Sequence, residues 1–108
     1  MTRSHDEYIA GELASRLVAA FGARRVVWFG SRVRGDARPD ADWDMLVVAE
    51  TDEPQAQRMY RAQCATSDVR VAKDIAVFTP AEHAMLLTWK SSVVFEAERT
   101  GRVLHEAA

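Results

Sequence analysis

Cysteine is almost absent from this chain. The 108 residues include a single one, Cys64, so no disulfide can form within the chain, which suits a reducing compartment. The first residues, Met1 to Asp6, are polar and lack the apolar stretch of a signal peptide. No segment approaches the roughly 20 consecutive apolar residues that a membrane-spanning helix needs. We therefore expect a cytoplasmic protein that does not enter a membrane.

Neither positive nor negative residues are in large excess. Fourteen lysines and arginines face sixteen aspartates and glutamates, for a net charge of −2, which argues against a dedicated nucleic-acid binder. Only three histidines are present; they are scattered and offer no zinc-ligand spacing. One region is locally basic, with five arginines within fifteen residues: Arg24, Arg25, Arg32, Arg34 and Arg38.

The apolar segments predict the fold class. Strands are expected at Val26–Phe29, Trp43–Val48 and Val69–Phe78, and residues 103–105 could add a short edge strand. Helices are expected before Gly22, after Pro54, and over residues 81–100 with a break near Ser91-Ser92. This order predicts one domain over residues 1–108, of the α/β (α+β) class, with helices packed on a small mixed sheet.

The helix after Pro54 carries its apolar residues at helical spacing. Ala56, Met59, Tyr60 and Cys64 share one face, which predicts that this face, and Cys64 with it, is buried. A chain this short buries a limited core, so a partner, in a homo- or hetero-oligomer, could cover some apolar surface.

Asp42 and Asp44 are the first candidate site residues. Residues two apart on a strand point to the same face, so their carboxylates could flank divalent cations. Such hard oxygen ligands favour Mg²⁺ or Mn²⁺ over Zn²⁺. The alternative is a pair of solvated aspartates on a half-exposed strand, with Trp43 packed on the opposite side in either case.

Gly30-Ser31 directly follows the first predicted strand. Glycine lets the backbone turn and come close to a ligand, and the Ser31 hydroxyl and nearby amides could meet phosphate there. The alternative is an ordinary turn between a strand and a helix. The phosphate-binding hypothesis for this dipeptide is strengthened because Asp42-x-Asp44 lies shortly after it.

Asp74 lies inside the apolar run of the third predicted strand. An unpaired carboxylate would be costly there if it were buried. If that strand neighbours the second one, Asp74 could join Asp42 and Asp44 and accept a proton from an attacking hydroxyl. The alternative is an exposed edge-strand residue paired with Lys73 or Arg70.

These residues resemble the DNA polymerase β-like nucleotidyltransferases, and the minimal nucleotidyltransferases among them. The likeness rests on Gly30-Ser31, ten intervening residues and Asp42-x-Asp44, followed by Asp74 in a later strand. It implies the polymerase β-like fold, a triphosphate bound by Gly30 and Ser31, and two Mg²⁺ ions held by the three aspartates.

Two further features bear on the likeness. Many relatives have serine where this chain has Ala41, which puts one hydrogen bond near the metal site in doubt. Arginine suits the charge of a transferring phosphoryl group. Of Arg32, Arg34 and Arg38, we select Arg34 for triphosphate contact.

The resemblance also suggests a partner and an acceptor. In the minimal family a small helical HEPN toxin is often the partner, and AMP is moved from ATP to a toxin tyrosine, so an antitoxin is implied. Two alternatives remain: a non-catalytic module that neutralises the partner by contact, and nucleotidyl transfer to a small molecule such as an antibiotic. The nucleobase, the acceptor and the oligomeric state do not follow from the residues.

Overall fold

The computed structural model describes residues 2–107, with side chains from His5 onward. Within these residues the chain forms five helices and four strands in the order α1 (Thr2–Phe21), β1 (Arg25–Phe29), α2 (Ser31–Arg34), β2 (Trp43–Val48), α3 (Gln55–Ala65), β3 (Lys73–Phe78), α4 (Pro80–Leu86), α5 (Val93–Thr100) and β4 (Arg102–Glu106).

The four strands form one mixed sheet in the order β3-β2-β1-β4. Strands β2 and β3 run parallel, whereas β1 is antiparallel to both β2 and β4. The predicted α/β (α+β) class, a small mixed sheet with helices packed on it, is confirmed. The short edge strand predicted at residues 103–105 is also present, as β4.

Alternating side chains give this sheet two different faces. On one face Trp43, Met45 and Val47 of β2 join the main core together with residues of α1 and α3. On the other face Leu46 packs in a smaller cluster with Val94 of α5. The second face is therefore covered by α4 and α5, and one end of it carries the candidate acids.

The third strand begins later than its apolar pattern predicted. Residues 69–72 form bends and irregular backbone, and β3 starts at Lys73 instead of Val69. The Lys73 ammonium donates to the carbonyl oxygens of Thr66 and Val69, at 2.5 and 2.7 Å. These bonds tie down the end of α3, so the apolar residue Val69 is buried as part of a turn.

The predicted buried face of α3 is wrong. Met59 and Tyr60 are 49% and 67% exposed, and Cys64 is exposed as well. The helix instead buries Arg58, whose guanidinium donates to the carbonyl of Val77 in the edge strand β3. An edge strand leaves main-chain carbonyls without a strand partner, and a buried arginine can satisfy them.

The predicted helix break near Ser91-Ser92 is confirmed. Helix α4 begins with a complete capping box between Thr79 and Glu82, and α5 begins with Ser92 accepting from the amide of Phe95. Each cap satisfies amides that lack partners in the first helical turn. In the described part of the chain, every helix is too short or too polar to cross a bilayer.

Candidate active site

Asp44 and Asp74 lie side by side on the two parallel strands. They are direct partners in the β2–β3 register, and Phe29 at the end of β1 is the partner of Asp44 on the other side. Register partners on neighbouring strands place their side chains on the same face of the sheet. The adjacency that Asp74 needs in order to act with Asp44 is therefore present.

Asp42 lies just before β2 and is exposed, whereas Asp44 is half-buried within the strand. Trp43 between them is 5% exposed and packs in the main core on the opposite face. Burial of this large ring fixes the start of β2, so the carboxylates that flank it are turned away from the main core.

The charges of Asp74 and Asp42 act on Asp44. The pKa of Asp44 is raised to about 6, first by burial and then by the nearby charges of Asp74 and Asp42, with Arg34 opposing the rise. Carboxylates that are close together disfavour each other's ionised form, and a cation between them removes the penalty. Asp44 is thus the electrostatic centre of the group.

Gly30 lies directly against Asp44. Its backbone has φ 90° and ψ −163°, a region that is almost exclusive to glycine. A Cβ at this position would overlap the Oδ2 atom of Asp44 and come within 3.0 Å of its carboxyl carbon. The glycine predicted to allow close backbone approach to a ligand also makes room for an acid of the site.

Ser31 and Arg34 begin and end the short helix α2, which follows Gly30. The main-chain oxygen of Ser31 accepts from the amides of Gly35 and Asp36, at 2.9 and 3.2 Å, so the helix closes after one turn. Arg34 is exposed and reaches Asp36 only at 3.4 Å. Its guanidinium can therefore turn toward a ligand at Asp44.

The three aspartates are neighbours without forming a ready-made metal cage. Among residues whose side chains the structure describes, no three acidic, histidine or cysteine groups converge closely enough to hold a metal ion. Mutual repulsion keeps like charges apart, and the exposed Asp42 and Asp74 have freedom to rotate. Metal binding at this site would require these two side chains to close on Asp44.

Arg32 does not have the ligand-contacting position that was considered for it. It is 8% exposed, and its guanidinium forms an ion pair with Asp6 of α1 at 3.0 Å. Its other two hydrogen bonds go to the main-chain oxygens of Ala41 and Pro39, so every guanidinium nitrogen has a protein acceptor. Neither Asp6 nor this role for Arg32 was predicted, because the pairing joins residues 26 positions apart.

The locally basic region is largely neutralised in the fold. Arg24 pairs with Glu50, Arg25 with Glu98 and Glu106, Arg32 with Asp6 and Arg34 with Asp36. Four of its five arginines thus have carboxylate partners, and the expectation of no dedicated nucleic-acid binding stays a prediction.

Comparison with known proteins places these residues in a family. The model of the nucleotidyltransferase domain matches residues 10–100, a range that contains Gly30, Ser31 and all three aspartates. The chain belongs to the nucleotidyltransferase domain family.

A solved structure agrees with this family in fold. This nucleotidyltransferase domain is similar to a candidate nucleotidyltransferase from Sulfolobus solfataricus, whose crystal structure was determined at 1.40 Å resolution. The two are 25% identical, the match covers 78% of this chain and 76% of that one, and the TM-score is 0.62. Among curated proteins, none matches the chain significantly.

Proposed function

We propose that this domain is a metal-dependent nucleotidyltransferase in which Asp42, Asp44 and Asp74 hold Mg²⁺ on ATP. Two ions are proposed, and Mn²⁺ can replace them. The observation that carries the proposal is the in-register pair of Asp44 and Asp74 against the backbone of Gly30. Carboxylates held side by side repel each other, and a bound cation removes this repulsion.

The donor set fits a divalent cation. All candidate ligands are carboxylate oxygens, which Mg²⁺ and Mn²⁺ prefer. Burial, followed by the nearby charges of Asp74 and Asp42, raises the pKa of Asp44, and a bound cation would favour the ionised form again. Bound there, the cations would neutralise charge that builds up on the transferring phosphoryl group.

Each remaining candidate residue has a role that its position supports. Gly30 and Ser31 would meet the triphosphate, because the backbone of Gly30 is free of side-chain bulk beside the acids. Arg34 would turn from Asp36 to the phosphates and share their charge. Asp74 would take the proton from the hydroxyl of the acceptor. The hydroxyl oxygen would then bond to the α-phosphorus as pyrophosphate leaves.

The acceptor we propose is a tyrosine hydroxyl of a small helical HEPN-type protein, which receives AMP from ATP. The domain would then act as an antitoxin. The proposal rests on the resemblance to minimal nucleotidyltransferases. It is supported by exposed large apolar side chains that suit a protein partner: Met59, Tyr60, Met85 and Trp89 are each about half exposed or more.

Transfer of label from ATP tests this function. The domain is incubated with Mg²⁺, ATP labelled at the α-phosphate, and a HEPN partner. The expected result is a labelled partner that loses the label when its acceptor tyrosine is changed to phenylalanine. Asp44→Asn should abolish labelling. A folded wild-type domain that labels neither the partner nor a hydroxylated antibiotic would overturn the enzymatic proposal.

Neutralisation by contact alone is the second candidate. It is favoured by one observation, namely that the three carboxylates do not converge as they stand in the described structure. Asp42→Ala separates the two functions, since this exposed residue can lose its carboxylate without disturbing the core. A variant that no longer transfers label yet still neutralises the toxin would establish contact as sufficient.

A further inference from the structure

A buried arginine holds the loop that carries Asp42. The Arg32 guanidinium uses each of its nitrogens: Nη1 donates to Asp6 Oδ1, Nε to Ala41 O and Nη2 to Pro39 O, each at 3.0 Å. Its planar group also stacks on the indole of Trp43, 3.6 Å from the ring centroid. One side chain thus joins α1, α2, the loop and the start of β2.

These contacts lie on both sides of one candidate metal ligand. Ala41 precedes Asp42 and Trp43 follows it, so Arg32 holds the main-chain oxygen of the residue before this aspartate and the side chain of the residue after it. The Trp43 Nε1 atom also donates to the main-chain oxygen of Asp6, at 3.2 Å, which ties the same group to α1. The loop residues 38–40, by contrast, are exposed and have little packing of their own.

We propose that Arg32 is a positioning residue that sets Asp42 at the right distance from Asp44, an inference that rests on the proposed function. Arg32 belongs to α2, which starts directly after Gly30. The same helix therefore positions the triphosphate contact and, through Arg32, the first metal ligand. Its charge is paired with Asp6 at 3.0 Å, and each of its nitrogens already has a protein acceptor.

A lysine at position 32 can test whether Arg32 acts through the shape of its guanidinium or only through its charge. A lysine at this position keeps a positive charge opposite Asp6, but it has no planar fork to reach Pro39 O and Ala41 O together or to stack on Trp43. Arg32→Lys should therefore retain most of the fold while releasing the loop. Partners that orient a metal ligand typically change metal affinity by about 10–100-fold when lost, and we expect a loss of at least about tenfold.

The matched control is a second buried arginine outside the site. Arg58 is 6% exposed and likewise donates to main-chain oxygens, those of Glu53 at 2.7 Å and Val77 at 3.2 Å. Arg58→Met removes a buried guanidinium of the same kind from a different part of the fold. Its metal affinity should equal that of the wild type wherever the protein is folded.

The experiment measures Mn²⁺ affinity by isothermal titration calorimetry on the full chain, for wild type, Arg32→Lys and Arg58→Met. Amide hydrogen exchange of the metal-free proteins is measured in parallel. In Arg32→Lys, exchange in residues 35–42 should rise selectively while the strands stay protected. If the lysine variant fails to fold, the double variant Arg32→Met with Asp6→Asn removes both buried charges and carries the same expectation.

The possible outcomes distinguish a failure of the proposed function from a failure of the positioning role. A folded wild type that binds no Mn²⁺ overturns the proposed function together with this inference. A wild type that binds, with Arg32→Lys binding equally and its loop exchange unchanged, overturns the positioning role alone. Equal losses of affinity in Arg32→Lys and Arg58→Met would also overturn it, because a general loosening of the fold would then be the cause.

Discussion

Replacing Gly30 by alanine should damage the site more than the fold. The backbone at φ 90° and ψ −163° costs alanine about 1–3 kcal/mol. The added Cβ overlaps the carboxylate of Asp44, which is a short side chain that can escape only by leaving its place beside Asp74. We expect the free energy of unfolding to fall by about 2–3 kcal/mol, and Mn²⁺ binding to be lost.

Two other glycines provide controls that isolate each cause. Gly22 also has positive φ, 59°, but nothing lies within 4 Å of its added Cβ. Gly22→Ala should cost about 1–2 kcal/mol from backbone strain and leave metal affinity unchanged. Gly11 lies inside α1 with open space around it, so Gly11→Ala should stabilise the protein by about 0.5–1 kcal/mol.

Urea unfolding and Mn²⁺ calorimetry on the three variants test whether the close approach of Gly30 to Asp44 serves the metal site. Stability should rank Gly11→Ala, wild type, Gly22→Ala, Gly30→Ala, and only the last should lose metal. If Gly30→Ala binds Mn²⁺ with wild-type affinity, or if Gly22→Ala loses metal equally, the close approach of Gly30 to Asp44 does not serve the site.

Three more predictions concern charges. Asp44→Asn should raise the free energy of unfolding by about 1 kcal/mol at pH 7 with metal chelated, after allowing for solvent screening. The carboxyl's pKa of about 6 lies above its ordinary 3.8, so this gain should shrink as pH falls from 6 toward 4 in paired denaturation curves. Arg58→Met should cost about 2–4 kcal/mol in urea unfolding, because Glu53 O loses this donor and Glu82 and Val77 O each lose one of two. If Arg58→Met destabilised the protein less than Glu82→Gln does, this prediction would be contradicted. Burial would raise the pKa of Glu98, but hydrogen bonds, led by those from Arg25, lower it below its ordinary 4.5. Its contribution is therefore present above pH 4.5 and lost as pH falls further, so Glu98→Gln should flatten the acid side of the stability curve.

Much of the fold could be predicted because its signals are local. The apolar run of β2 and the helix break near Ser91-Ser92 depend on a few adjacent residues, and the structure confirms them. Asp42-x-Asp44 could be selected in the same way, since both aspartates flank Trp43, whose burial turns their carboxylates away from the main core. Whether they bind metal stays a prediction.

The rest depends on pairings between distant parts of the chain. The register that sets Asp74 beside Asp44 is decided by which strands become neighbours. The α3 face was predicted incorrectly because Arg58 turns inward to the carbonyl of Val77 and the carboxylate of Glu82, two partners distant in sequence that the apolar periodicity does not reveal. From the sequence, Arg32 cannot be distinguished from the other arginines near it. Its role becomes clear only in the fold, where Asp6 of α1 pairs with it.

The central claim, that Asp42, Asp44 and Asp74 form one cation site beside Gly30, can be tested without knowing the acceptor. Substoichiometric Mn²⁺ is added to the ¹⁵N-labelled domain, and paramagnetic broadening of each amide signal is measured with and without a non-hydrolysable ATP analogue. The account predicts that broadening is strongest at these four residues, and that it disappears in Asp44→Asn. Broadening centred elsewhere, or unchanged in that variant, would contradict it.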